Sequence, residues 1–288
     1  MDRKPILGVI GGSGLYAMEG LEDVKEHQID TPFGDPSSPI VIGDIQGKTI
    51  AFLARHGIGH VLSPSEVNYR ANIFALKSLG IERVLSISAC GSLREDYAPG
   101  DIVIPDQLFD FTKERKRSFF GDKLVAHISI ADPFCHHLSD QVLQSVKKVG
   151  GQIHQGGTFI TIEGPRFSTR AESNTFRAWG MSIIGMTTSP EAYLAREAEM
   201  CYSVMAHVTD YDVWHVTEEP VTVEIVIRIL LANTELAQKS IAELVSSLDH
   251  DRNCDCGVAL QEAIITNRDF ISPQTRERLG ILVDKYLS

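Results

Sequence analysis

An α/β fold built on a mixed, twisted sheet is what this sequence predicts, and three observations carry it. Short β-branched runs alternate with stretches of helical spacing as far as residue 210, the pattern of strands and helices taking turns across one sheet. Two of the runs, 39–45 and 48–54, are separated only by Gln46-Gly47 and read as an antiparallel hairpin, which makes the sheet mixed. The chain has 288 residues with 43% hydrophobic content, enough to bury a large core. We read 1–288 as one domain, with a cysteine-containing connector at about 249–257 and a helical tail at about 258–288.

Taken in order, Ile6-Leu7-Gly8-Val9-Ile10 is a buried strand, held short by Pro5 and by Gly11-Gly12. The hairpin follows and delivers Arg55-His56-Gly57 from a strand end. Ser63-Pro64-Ser65-Glu66 has the form of a helix start, and the apolar spacing continues to Leu79 before Gly80 stops it. Val84-Leu85-Ser86-Ile87-Ser88 is a strand closed by Ala89-Cys90-Gly91-Ser92. The alternation then repeats with a helix at 138–149, a strand at 158–162, a helix at 171–179, a strand at 183–184, a helix after Pro190 and a strand at 202–208. Residues 223–248 read as one long amphipathic helix packed on the sheet.

Composition narrows the function. A net charge of -11, with Lys113-Glu114-Arg115-Lys116-Arg117 as the one basic cluster, argues against nucleic acid or an anionic membrane as partner and leaves a small ligand. The apolar run at 6–10 is too short for a signal-peptide core or a span, which predicts a cytoplasmic protein. Five cysteines are few and odd in number, unlike a secreted disulfide scaffold. Cys254-Asp255-Cys256 is too close-spaced for a zinc knuckle, which needs a wider pair and a second pair elsewhere, so the expectation is buried thiols and no metal.

Chemistry is concentrated at the strand ends. Gly11-Gly12-Ser13-Gly14 can hold a phosphate on backbone N–H groups and the Ser13 hydroxyl, or it is simply a tight turn. Gly12-x-Gly14-x-x-Ala17 also matches a dinucleotide fingerprint, but Gly20, Thr31-Pro32 and Gly34 interrupt the helix and second strand that this reading needs. Arg55-His56 pairs a permanent bidentate cation with an imidazole donor, a combination suited to a phosphate dianion; a surface salt bridge and a core histidine are the plain alternative. Hydroxyls of Ser86, Ser88, Thr187 and Thr188 lie at two further strand ends, where they line the same sheet edge or cap helices. Asp210 and Asp212 lie on one side of a strand if its geometry continues, and paired acids suit a purine leaving group that is protonated at N7 and offers an exocyclic amine. The alternative there is an Asx turn with a solvated second acid.

With Asp30-Thr31-Pro32-Phe33-Gly34, Ala54-Arg55-His56-Gly57, Asn68-Tyr69-Arg70-Ala71-Asn72, Ala89-Cys90-Gly91-Ser92, Glu163-Gly164-Pro165-Arg166-Phe167-Ser168 and Thr209-Asp210-Tyr211-Asp212 in series, the chain resembles the methylthioadenosine phosphorylases of the purine nucleoside phosphorylase family. The resemblance implies that Ser13, Arg55, His56, Ser88, the Ala89 backbone and Thr187 hold phosphate. It implies that Met186 lies under the ribose and that Phe167 and Ser168 belong to the base pocket. Asp210 and Asp212 would face adenine, since relatives preferring 6-oxopurines carry asparagine at the first of these positions. His60 would lie near the phosphate, and Val223, Val226 and His127, the last from a neighbouring subunit, would line the methylthio end. The implied reaction is displacement at ribose C1' by inorganic phosphate as co-substrate, with no metal or organic cofactor, in a homotrimer or a homohexamer of paired trimers. The family's disulfide-containing members have cysteines resembling Cys135, Cys201, Cys254 and Cys256, whereas Arg196 and Gly257 stand here where those members have others; Cys135 and Cys201 are therefore expected to lie close together. A nucleosidase that uses water in place of phosphate, a broader purine nucleoside phosphorylase and a non-catalytic nucleoside-binding protein are the competing readings.

Overall fold

In the computed structural model, residues 4–12, 14–15, 17–215 and 222–287 are described, without the side chains of 225, 226, 228 and 230–232. The buried strand β1 (Leu7–Gly11) lies between β4 (Lys48–Ala54) and β5 (Arg83–Ser92) and runs parallel to both. β3 (Ile40–Ile45) folds back on β4 through Gln46-Gly47, with Ile45 opposite Lys48, as the hairpin reading predicts. Both turn residues have positive φ, 51° and 77°, the second held without strain by a glycine. β2 (Glu22–His27) adds an antiparallel edge to β3. On its other side β5 pairs in parallel with β11 (Cys201–Asp210) from Arg83 to Gly91. Its final residues pair instead with β10 (Ile183–Gly185), which leads through β9 (Thr158–Ile162) to the edge strand β7 (Gln107–Phe111). β6 (Ile102–Ile104) and β8 (Ile153–Gln155), attached beyond β11, complete an eleven-stranded mixed sheet.

The alternation of side chains across these strands sends apolar groups to two cores. Ile10, Leu53 and Val84 meet α1 (Tyr69–Ser78) and α4 (Thr188–Glu197) on one face, while Leu7, Val9 and Leu85 meet α2 (His136–Lys148) and α5 (Val223–Ser247) on the other. α3 (Arg170–Ala178) closes the β9–β10 end through Phe176. Its start is fixed by a reciprocal capping box between Thr169 and Glu172. In the tail, α6 (Pro273–Leu279) and α7 (Asp284–Leu287) bury Leu279 and Leu287 in the first core. Among the described residues no helix is long and apolar enough to cross a membrane.

Several boundaries differ from the sequence reading. Ser63 does not open a helix: the Glu66 carboxylate turns back onto the Ser63 N–H (3.0 Å) and hydroxyl (2.5 Å), closing a separate turn. α1 begins only at Tyr69, capped by Asn68. β5 does not stop at Ser88 but runs to Ser92, because β11 continues to pair beside it. The strands β2, β6, β7 and β8 carry no apolar run long enough to announce them; β2 is mostly charged and the others are short or half exposed. The element after β1 is β2, so the strand–helix–strand unit of a dinucleotide site is not formed. The expected nearness of Cys135 and Cys201 is borne out, and Cys254 and Cys256 join them.

One ion pair ties the central elements together. Arg55, immediately after β4, donates from Nε to Glu191 of α4 at 2.5 Å and from Nη2 to the second carboxylate oxygen at 3.1 Å. Its remaining donors reach the Ile87 carbonyl (3.1 Å) and the Ser86 hydroxyl (2.6 Å) on β5, and the Ile10 carbonyl on β1 (3.4 Å). Tyr202 of β11 donates its hydroxyl to the same carboxylate at 2.8 Å. Both charged side chains are buried, at 4% and 0% exposure, so neither can turn to water if the other is lost. Glu191→Gln is expected to lower unfolding stability in urea by about 3–5 kcal/mol. A loss below about 1 kcal/mol would mean that hydroxyls and carbonyls alone compensate the guanidinium.

Candidate active site

The sheet opens where β5 changes partners. β1 accompanies it as far as Ser86, opposite Ile10, and β10 takes over only at Gly91 and Ser92. Between them, residues 87–90 have no strand on that side, and the crevice so formed lies beyond the end of β1, where open α/β sheets bind their ligands. β1 and β4 end in register, Gly11 beside Ala54, so the glycine turn and Arg55-His56 emerge together, and the Arg55 N–H donates to the Gly11 carbonyl at 3.0 Å.

At this end of the crevice Arg55 reaches Ser86 and Ile87 of β5, and the next residues on that strand bring Ser88 to Thr187. Of the five guanidinium N–H groups of Arg55, one on Nη1 has no acceptor among the described residues. Ser88 Oγ lies 3.4 Å from Thr187 Oγ1, although the two are 99 residues apart in sequence. Thr187 occupies the N-cap of α4 without making a side-chain cap bond, so the helix-capping alternative does not account for its hydroxyl. Ser86 and Ser88 lie inside β5 rather than at a helix start, and Ser86 is used in holding Arg55.

His56 departs from its expected role as a simple donor. Its Nδ1 is 2.8 Å from the Leu62 carbonyl, which only accepts, so the proton is on Nδ1. Burial, and then the Arg55 charge beside it, lower the imidazole to about 4; at neutral pH Nε2 therefore offers a lone pair. The exposed His60, held at φ 57°, stacks on His56 with ring centroids 4.4 Å apart. Ser13 lies outside the described residues; the turn that carries it is tied to α5 by Gln238, which donates to the Gly14 carbonyl at 3.0 Å.

The acids lie at the far end of the crevice. A bulge between Val208 and Asp210 shifts the register of β11 and sets Asp210 opposite Gly91. The strand geometry does not continue to Asp212. That residue has φ 52°, and its N–H donates to Asp210 Oδ1 at 2.7 Å, so an Asx turn forms as the alternative reading held. The second acid is nevertheless buried, at 6% exposure, rather than solvated. Burial pushes the Asp210 carboxyl up to about 6, against the hydrogen bonds it accepts from Thr209 Oγ1 (2.7 Å) and the Asp212 N–H. Burial also raises Asp212, opposed by the nearby hydroxyls of Ser173 and Ser168. Asp212 Oδ2 and both of those hydroxyls are buried without a geometrically complete hydrogen bond among the described residues and form one polar cluster. Gly91 is required here: a Cβ would stand 2.9 Å from Asp210 Oδ1 and 3.1 Å from Ile184.

Between the two ends, Met186 packs against Gly164, where a Cβ would meet its sulfur at 2.6 Å. Arg115 holds this floor in place. It was legible only as part of a basic cluster, yet it is buried and donates to the carbonyls of Met186 (2.5 Å), Ser189 (2.6 Å) and Glu163 (2.9 Å). Phe167, at 36% exposure, stands next to the buried Ser168. Ala89 pairs with His207 of β11 on one edge of β5 and lies in the stretch that neither β1 nor β10 covers on the other. Val223 is exposed at the start of α5, and the Val226 side chain lies outside the described residues. The exposed His127 is bound through its backbone to Ala263 in the tail, and among the described residues nothing joins it to Asp210 or His56.

Glu191 is the residue that sequence reasoning missed. Its signal was present: with Leu194 and Ala195 three and four positions on, it shares their buried helix face, and an acid there requires a buried cation.

Comparison with known proteins agrees with this geometry. Residues 6–248 match the Phosphorylase superfamily. The S-methyl-5'-thioadenosine phosphorylase of Geobacter sulfurreducens is 51% identical over 285 residues, covering 99% of this chain and all of that protein. The crystal structure of a methylthioadenosine phosphorylase from an antarctic soil metagenomic library superposes with a TM-score of 0.93 at 45% identity, covering 97% of this chain and 99% of the other. The Schistosoma mansoni methylthioadenosine phosphorylase in complex with adenine gives 0.86 at 36%, covering 91% and 99%. A chain that shares its fold and, over 99% of its length, half its residues with such proteins belongs to the methylthioadenosine phosphorylase family of the Phosphorylase superfamily.

Proposed function

We propose that the protein is an S-methyl-5'-thioadenosine phosphorylase, a pentosyltransferase that cleaves 5'-deoxy-5'-methylthioadenosine with inorganic phosphate to adenine and 5-methylthioribose 1-phosphate. The observation that carries this reading is one crevice with a cation and hydroxyls at one end and two buried acids at the other. Ser88 and Gly91, which mark the two ends, are three residues apart on β5, a span of about 10 Å that fits a ribose between an anion and a purine. The curated relative and both solved structures described above bear the same activity in their names.

In this reading phosphate is held by the free Nη1 N–H of Arg55, the Ser88 and Thr187 hydroxyls, the Ala89 backbone and Ser13. His56 Nε2 accepts the proton of a hydrogen phosphate, which turns an unprotonated oxygen toward C1'. Phosphate attacks as the C1'–N9 bond breaks, and its charge stabilises the cationic sugar between them. The departing electron pair goes to the purine, and N7 takes a proton from the Asp210–Asp212 pair, which burial keeps partly protonated. The other acid accepts from the 6-amino group. Met186 supports the ribose, Phe167 and Ser168 border the base, His60 flanks the phosphate, and Val223, Val226 and a neighbouring subunit's copy of His127 enclose the methylthio group. The reaction uses positioning and proton transfer with phosphate as co-substrate, and no metal or organic cofactor. The salvage of methionine and purines in the cytoplasm is the role that suits these products.

A homotrimer or paired trimers supply the missing wall. The outer edge of β7 has no strand partner, and Phe109, Phe111 and Trp179 form an exposed aromatic patch beside it, with ring centroids 6.0–6.4 Å apart.

Phosphate dependence tests the reaction class: with methylthioadenosine, adenosine, methylthioinosine and inosine as substrates, methylthioadenosine is expected to be the best and adenine release to require phosphate. Release at an undiminished rate without phosphate would establish a nucleosidase, and binding without turnover a nucleoside-binding protein. The acids predict a pH effect of definite sign. The useful form is the neutral carboxyl, so kcat/KM for the nucleoside declines as pH rises through about 6, a limb belonging to the pair. Asp210→Asn removes this limb and shifts preference from adenine toward hypoxanthine nucleosides. Unchanged selectivity for the 6-amino group would sink the role given to Asp210.

A further inference from the structure

Far from the crevice, four cysteines converge. Cys135 is the N-cap of α2, Cys201 is the first residue of β11, and Cys254 and Cys256 come from the connector after α5. Their four Sγ atoms all lie within 4.8 Å of one another, with Cys201 and Cys254 at 3.3 Å. β11 carries Cys201 at one end and Asp210 at the other, about 30 Å apart along the strand, so this cluster is no part of the proposed active site.

From this convergence we propose a structural Zn²⁺ site, with Cys135, Cys201, Cys254 and Cys256 as a closed tetrathiolate shell. A tetrahedral zinc with Zn–S bonds of about 2.3 Å sets its sulfurs about 3.8 Å apart, in the middle of the observed spacings. All four are free thiols in this structure. The objection from spacing, that Cys254-Asp255-Cys256 is too tight for a zinc knuckle, holds for that pair alone. The fold supplies the second pair from α2 and β11, and those residues are 66 and 53 positions from their nearest partners in the set.

The surroundings suit thiolates. Three of the four cysteines are buried within the core between the sheet and α2/α5, and Cys254 is half-buried at its rim. Two cations face the cluster. Arg196 Nη1 is 3.5 Å from Cys256 Sγ, with its Nε buried and without a partner among the described residues, and Arg252, two residues before Cys254, pairs with Glu82 at 3.4 Å. Binding releases the thiol protons to water and leaves a dianionic Zn(Cys)₄ unit, which these two guanidinium groups balance. The ion joins three distant segments and fixes the connector, and through it the tail, to the sheet.

The test uses the full chain, purified under reducing conditions. Elemental analysis is expected to find about one zinc per chain, and replacement by Co²⁺ to give thiolate-to-metal charge-transfer bands with the intense d–d absorption of a tetrahedral site. In the double variant Cys254→Ser/Cys256→Ser, zinc falls to background and the melting temperature drops, while phosphate-dependent adenine release persists at temperatures below the new transition. Reduced wild-type protein that takes up neither Zn²⁺ nor Co²⁺ overturns the proposal. So does protein purified without reductant whose cluster thiols are untitratable in denaturant and whose mass is lower by two hydrogens per pair, which would show disulfides instead. The spectrum of the wild-type protein decides the matter even if the variant does not fold, and none of these readouts depends on which nucleoside the crevice accepts.

Discussion

The buried pairing of Arg55 with Glu191 is the constraint on which the crevice depends. A permanent cation removed from water needs a counter-charge at once, and Glu191 provides it from a helix on the far side of the opening. Because the same guanidinium also reaches carbonyls on β1 and β5 and the Ser86 hydroxyl, the ends of β1 and β4, the middle of β5 and the first turn of α4 are tied together. An anion arriving there meets a cation whose orientation is already set, so little reorganisation is left for the moment of binding. The arrangement is electrostatically close to neutral before a ligand arrives, which keeps a buried charge tolerable in the free protein.

The second constraint is topological. β5 keeps β11 along one edge and has to serve β1 and then β10 along the other, where no single strand pairs throughout. At residues 87–90 β5 is paired on one edge only, by β11, and there the Ser88 hydroxyl of β5 meets the Thr187 hydroxyl from the β10–α4 junction. At the other end of the strand the same bifurcation packs Asp210 against Gly91, with Asp212 close by, and burial rather than any neighbouring cation sets their protonation. One end of the crevice is thus built to keep charge and the other to discourage it, a division that suits an anionic nucleophile and a base that must leave neutral.

Much of the architecture was legible in the chain. The hairpin at Gln46-Gly47, the strand at 158–162, the helices near 138–149 and 171–179 and the long helix from 223 all follow from local periodicity, because each buries a face whose spacing is written in consecutive residues. The edge strands β2 and β7 escaped, since an edge needs only backbone partners and leaves no apolar signature. The late start of α1 escaped because Glu66 closes a local turn instead of opening a helix.

What the sequence determined by itself is the inventory: an α/β alternation, a cation beside a histidine at one strand end, hydroxyls at others, and two acids after a long apolar strand. Only the tertiary structure decided their partners. It gave Arg55 its counter-ion in Glu191, turned the His56 proton toward Leu62, replaced a continued strand at Asp212 by a buried turn, and gathered four cysteines that local spacing keeps apart. The physical reason is common to all of these. Periodicity records how a residue relates to its neighbours in the chain, whereas the charge state of a buried group is set by whatever the fold brings against it from far away.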